Sequence, residues 1–398
     1  MTPLTETAWV FFKLGVLGFG GPAAHIAMMK QECVEKRQWL SEVEFVDLLG
    51  MTNLIPGPNS TEMAIHLGYR RAGWSGLFTA GVCFILPAMV LVMLCAMAYV
   101  NYGQLAVFVG IFNTVKPVIL AVVLQAIAGL LKPALKKRSL IILAILVMGL
   151  ALLGIDELLL LFGAGLLSAS LAAFQATQSS AKENLRPALL KLYLAVIPLM
   201  SLPALLSYWL LPQNPAHTST VALPFALAPL FGFFFKVGAL LYGSGYVLLA
   251  FLHETLISQW QWLSQTQLLD AILIGQVTPG PVFTTATFIG YILGGPVAAI
   301  VATIAIFLPS FGLVAVSHSL VSRLRQFPLT SSFMDGVNAA ALALMGVVTL
   351  QLASSAIHSW QSISLGLISA YLLIYQRINS AWLIIGAACL GGILNILV

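Results

Sequence analysis

The chain has 398 residues, of which 60% are hydrophobic and only 8% charged, and its formal net charge is +5. That balance excludes an ordinary water-soluble domain, and charges this sparse exclude a nucleic-acid-binding surface. A small surplus of Lys and Arg is what the cytoplasmic loops of a membrane protein carry.

A membrane crossing needs about 20 apolar residues. From the N-terminus, apolar stretches fall at roughly 8–29, 45–69, 74–100, 104–131, 139–153 and 157–176. An extra one follows at roughly 189–211. A second set then falls at roughly 223–251, 268–292, 296–318, 331–355, 360–375 and 380–397. Lys13 and several glycines interrupt the first run, so no early cleavable signal is expected. The expected fold class is an all-α polytopic membrane protein.

The two sets repeat one another. Phe12-Lys13 and Gly15 return 223 residues later as Phe235-Lys236 and Gly238. Trp39-Leu40-Ser41 returns as Trp262-Leu263-Ser264, Asp47 as Asp270, and Pro56-Gly57-Pro58 as Pro279-Gly280-Pro281. Leu86-Pro87 returns as Leu308-Pro309, one residue short of that offset. The expected organisation is a repeat over 1–180, a linker with an extra transmembrane helix over 181–222, and a second repeat over 223–398. Six crossings return the chain to its starting side, and the seventh turns the second copy upside down. Inverted repeats of this kind mark transporters with a site between the copies.

Charge sets the orientation. A cytoplasmic N-terminus puts Arg70, Arg71, Lys132, Lys136, Lys137, Arg138, Lys182, Arg186, Lys191, Arg323, Arg325 and Arg377 inside. Lys30, Lys36 and Arg37 fall outside if the first two segments cross fully. Both segments are broken, at Gly18-Phe19-Gly20-Gly21-Pro22 and at Pro56-Gly57-Pro58. If they are re-entrant hairpins, those three charges come inside as well, and both readings stay open.

The Pro-Gly-Pro pair carries the strongest chemical signal. It ends one helical stretch and starts another, because Pro lacks a donor and disfavours helix before itself. The new helix start would present backbone N–H groups at Asn59, Ser60 and Thr61, and at Val282, Phe283 and Thr284 in the second copy. Such an end carries partial positive charge and binds anions. Candidate substrate contacts are Gly57, Asn59, Ser60 and Thr61 at one break and Gly280, Thr284 and Thr285 at the other. Lys13 with Gly20 and Gly21, and Lys236 with Gly243 and Ser244, form a second matched station. A lysine within an apolar segment is costly to insert and suits an anion pathway or a side chain reaching to the interface. Ser41-x-x-Glu44 and Ser264-x-x-Gln267 read as capping boxes. Asp47, Asp270 and Glu62 are candidates for proton coupling, and neither Glu62 nor His66 is duplicated. The alternative for each acid is a charge paired with a neighbouring cation. No metal-ligand spacing, nucleotide-binding loop, GxSxG or HExxH occurs, so neither cofactor, metal nor enzymatic activity is expected.

At these residues the chain resembles the chromate transporter family. The resemblance rests on Phe11-Phe12-Lys13-Leu14-Gly15, on Gly18-Phe19-Gly20-Gly21-Pro22, and on the run from Pro56-Gly57-Pro58-Asn59-Ser60-Thr61 to Gly68-Tyr69-Arg70-Arg71-Ala72-Gly73. Phe84-Ile85-Leu86-Pro87 fits too, while Gly243-Ser244-Gly245 lacks the proline of its first-copy counterpart. The resemblance is to the two-domain form of the family, and it implies export of chromate from the bacterial cytoplasm through the cell inner membrane. Sulfate, another tetrahedral dianion, or a further oxyanion is the alternative substrate, an anion channel of the same architecture is the alternative mechanism, and either protons or a counter-anion could be the coupling partner. The expected partners are the oxyanion, the lipid bilayer and a second copy of the chain, with no nucleic acid.

Overall fold

The computed structural model describes residues 2–18, 21–52, 55–103, 105–155, 157–179, 224–241, 248–324, 328–357, 359–376, 378 and 380–397. The expected extra crossing at 189–211 lies outside the described residues. Fourteen α-helices are described, and the first seven pair in order with the second seven. In the first half α1 is Pro3–Leu17, and α2 is Gly21–Met29, running on as a π-helix over Lys30–Lys36. Then come α3 (Glu42–Thr52), α4 (Asn59–Tyr102), α5 (Ala106–Ala134), α6 (Arg138–Leu152) and α7 (Glu157–Ser179). In the second half α8 is Leu227–Leu240, and α9 is Leu248–Leu252, running on as a π-helix over His253–Gln259. Then come α10 (Gln265–Val277), a 3-10 turn at Val282–Thr284, α11 (Thr285–Leu324), α12 (Pro328–Ala356), α13 (Trp360–Ile374) and α14 (Ser380–Leu397).

The correspondence reaches single residues. Each π-helix is followed by a glutamine in the left-handed region, Gln38 at φ 51° and Gln261 at φ 55°. Both capping boxes form. The Ser41 N–H donates to Glu44 Oε2 at 2.9 Å and the Glu44 N–H to Ser41 Oγ at 3.2 Å; Ser264 and Gln267 exchange the same bonds at 2.9 and 3.1 Å. A straight helix of 44 residues would be about 66 Å long, twice the hydrocarbon thickness. Helix α4 is instead broken at Ala72 and Gly73, and α11 at Gly294 and Gly295. Gly73 sits at φ 62° and Gly295 at φ 71°, where a side chain is disfavoured. After these breaks come the long apolar portions; among the described residues four helices, within α4, α5, α11 and α12, are long and apolar enough to cross a membrane.

The broken segments fold as hairpins. The run at 45–69 resolves into α3 and the 59–71 arm of α4, each about 16–20 Å long and short of the roughly 30 Å a crossing needs. Ion pairs draw the ends together. Arg71 Nη2 lies 2.7 Å from Glu6 Oε2, Arg37 Nε 3.5 Å from Glu6 Oε1, and Arg70 Nη2 2.7 Å from Glu44 Oε1. Lys30 pairs with Glu42. The start and finish of both segments therefore share one end of the molecule, and Lys30, Lys36 and Arg37 lie on the same side as Arg70 and Arg71. The Ser41 backbone N–H, with Arg70, holds the Glu44 carboxyl below the usual carboxylate range. In the second half aromatic rings do the same work. Phe225 packs against Trp262 at 5.3 Å between ring centroids, and Trp262 against Trp260 at 4.5 Å.

The halves interlock. Helix α1 packs on α4, and α8 on α11, at glycines where a Cβ would overlap backbone: Gly15 against Phe84 O, and Gly238 against Ile306 O. Helix α5 packs on α13 and α14 of the other half, and α12 reciprocally on α6 and α7. Phe78 stacks on Phe311 at 5.7 Å, and Tyr99 meets Phe288 at 5.2 Å. Position rises along α4 as it falls along α11, so the two matched helices run in opposite directions.

Candidate functional site at the paired helix breaks

Both Pro-Gly-Pro breaks are buried, and each glycine has a φ that favours glycine, 131° at Gly57 and 100° at Gly280. Each break is bonded to the other half. The Gly57 N–H donates to Leu241 O at 2.8 Å, and the Gly280 N–H donates to Gly18 O at 2.8 Å. Leu241 and Gly18 are the matched residues that end α8 and α1. The two bonds are thus one bond repeated by an approximate two-fold exchange of the halves. They join the ends of interrupted helices in two pairs, each pair made of one end from each half.

The chemistry around the two breaks differs. A Cβ on Gly57 would meet Glu62 Oε1 and, at 2.8 Å, Ser310 Oγ of α11. A Cβ on Gly280 would meet the Ala88 side chain of α4. Ser310 and Ala88 are matched positions, each just after the repeated Leu-Pro, so one break faces a hydroxyl and the other a methyl. Ser60, Thr61, Glu62 and His66 are at most 1% exposed on the first arm. The Glu62 carboxyl oxygens, Thr61 Oγ1 and Ser310 Oγ have no hydrogen-bond partner among the described residues. Thr284 and Thr285 are equally buried, but their hydroxyls donate to Pro281 O and Val282 O within their own turn, both at 2.8 Å. The Thr61 and Thr284 N–H groups also donate inward, to Pro58 O and Pro281 O. That leaves the polar face of Thr61 to its hydroxyl rather than its N–H.

The remaining predicted site residues separate. Lys13 Nζ lies 3.2 Å from Glu32 Oε1, and Lys36 and Arg37 bind the same carboxylate at 2.9 Å each. Lys13 therefore belongs to the charged end of the first hairpin. Lys236 is half-buried, and Thr255 stands in the place of Glu32, so it has no ion pair among the described residues. Asp270 receives Tyr99 OH at Oδ2, 2.9 Å away, and lies 3.4 Å from Lys116 Nζ. Both partners come from the first half, on α4 and α5. Gly21 starts α2 at φ 78°. Gly20, Gly243 and Ser244 lie outside the described residues, as does the side chain of Asp47. Asn59 opens the first arm, half-buried. Among the described residues no group of three or more His, Cys, Asp or Glu is placed to hold a metal ion. Ser310 and Ala88 were missed by sequence reasoning, although the repeated Leu-Pro before them was a usable signal.

Fold and site together define a multi-pass, all-α membrane protein with two matched halves meeting at paired helix breaks. The sequence pattern of the chromate transporter family matches it twice, over residues 5–169 and again over 228–392. The chain belongs to the chromate transporter family, whose members are transporters rather than enzymes. A chromate transport protein of Cupriavidus metallidurans is 29% identical over 98% of this chain and 92% of its own length. One of Pseudomonas aeruginosa is 29% identical over 90% of this chain and 83% of its own length. A Bacillus subtilis transporter described as uncharacterized, YwrA, is 32% identical over 29% of this chain and 64% of its own length. No solved structure matches the chain.

Proposed function

We propose that this protein is a secondary transporter that exports an oxyanion, chromate first, across the bacterial cytoplasmic membrane. The observation that carries the reading is the reciprocal pair of bonds, Gly57 to Leu241 and Gly280 to Gly18, which joins two helix breaks from matched halves. Interrupted helices at membrane depth occur where they line a cavity, and half-helix N-terminal ends favour anionic groups. On this reading the start of the 59–71 arm, with Ser60 and Thr61, takes the anion, and Thr284 and Thr285 close the second side. Lys236 offsets its charge. The family membership and the printed names of the Cupriavidus and Pseudomonas relatives support chromate as the substrate.

The halves are read as inverted repeats, the first ending near 180 and the second starting near 223, related by an axis in the membrane plane. The opposed directions of α4 and α11 support this. The charged end of the first pair of hairpins then faces the cytoplasm, and the aromatic end of the second pair faces outward, as the positive-inside bias requires. Moving a dianion out of a negative-inside cell is favoured by about 2.3 kcal/mol per charge per 100 mV, so no nucleotide is needed. Flux of labelled chromate into proteoliposomes, with sulfate as competitor, tests the reading. Saturable chromate flux is the expected result. Flux of neither anion contradicts it, and sulfate flux alone transfers the site to that dianion.

A further inference from the structure

Resting on the oxyanion reading, we propose that Glu62 is a proton-binding site that loads and unloads together with the anion. Its carboxyl group is fully buried, and its Oε1 is turned back against Gly57, inside the break that would receive the substrate. Among the described residues neither carboxyl oxygen has a hydrogen-bond partner and no cation lies within ion-pair distance. A lone carboxylate is costly to bury without a compensating partner. A bound dianion would add negative charge beside it, and like charges disfavour one another strongly where water is excluded. Carboxylate and dianion cannot share this break, whereas the carboxylic acid and the dianion can. Ser310 Oγ, buried and without a hydrogen-bond partner among the described residues, faces the same break and can accept a hydrogen bond from the acid O–H when the side chain turns.

The described carboxylates and cations on the neighbouring elements are paired with one another. On the same helix His66 lies one turn further along, buried. On α1, Lys13 is bound to Glu32 and Glu6 to Arg71. On α2, His25 Nε2 is 2.8 Å from Gly18 O, and its ring lies edge-on to Phe84. On α3, Glu42 and Glu44 pair with Lys30 and Arg70. On α10, Asp270 is held by Lys116 and Tyr99. From α11 the described side chain at the break is the Ser310 hydroxyl. The second break has Thr285 in place of Glu62 and faces Ala88, so the repeat does not duplicate this site. One proton moving with one dianion transfers one net negative charge. The membrane potential still drives export, and an acidic exterior opposes it.

The test uses proteoliposomes with a trapped pH dye, the potential clamped by potassium and an ionophore, and mildly alkaline buffer in which chromate is the dianion. Wild-type protein should acidify the lumen as chromate enters, one proton per anion. Glu62→Gln, a neutral stand-in for the acid, should carry chromate with that proton movement lost, and Glu62→Asp should keep it. Folding of each variant is checked by gel filtration. Protons moving against chromate, chromate flux without protons in the wild type, or proton movement retained in Glu62→Gln would each overturn the proposal. If the Glu62 variants do not fold, the sign and ratio of proton movement in the wild type decide. No wild-type chromate flux would instead remove the oxyanion reading on which the proposal stands.

Discussion

Gly57 and Gly280 have the same sign of φ, donate the same bond and follow the same proline, yet they face different groups. Their conformation was legible in the sequence because Pro-Gly-Pro constrains its own backbone. What faces them was not, because Ser310 lies 253 residues from Gly57 (310 − 57) and Ala88 lies 192 from Gly280 (280 − 88) in the chain. The lysines teach the same lesson. Lys13 and Lys236 match as letters, but among the described residues only Lys13 of the two is ion-paired, to Glu32 of the neighbouring π-helix, while Glu254 of the second π-helix accepts from Gln259 instead. Lys13→Ala is therefore expected to leave chromate affinity within about twofold, whereas Lys236→Ala should weaken it about tenfold or more, the scale of a lost charge-assisted contact. Equilibrium binding of labelled chromate to the two purified variants checks this; equal losses would return Lys13 to the site.

At the scale of elements, the capping boxes at Ser41 and Ser264 were readable because each is closed within four residues. The choice between crossing and hairpin was not, because the apolar run through residues 45–69 does not record that the chain turns back. That information lies in long-range pairs such as Glu6 with Arg71. The same hairpin is closed by ion pairs in one half and by Phe225, Trp260 and Trp262 in the other, so charge alone could not reveal the second. The hairpin ends also give a direct test of orientation. Glu35 and Ser258 are exposed, matched positions on the two π-helices. In a background without Cys33, Cys83, Cys95 and Cys389, Ser258→Cys should react with an impermeant maleimide added to intact cells. Glu35→Cys should react only after the cells are opened. Labelling of both from the same side would contradict the inverted arrangement.

At the scale of the whole molecule, the repeat was the feature most fully legible, because matched polar and helix-breaking residues stand out in a chain that is 60% hydrophobic. The interlocking was hidden: α5 seats the last two helices of the other half, and α12 does the same in return. Neither half buries its long helix alone, and the paired breaks exist only where the halves meet. The central claim is that the two breaks form one oxyanion site per chain. Equilibrium binding of labelled chromate to purified protein tests it most directly, in the wild type and in Gly57→Leu and Gly280→Leu, each confirmed as folded by gel filtration. One anion per wild-type chain, with binding lost in either variant, is the predicted result. Two anions per chain, or binding intact in either variant, would contradict a single shared site.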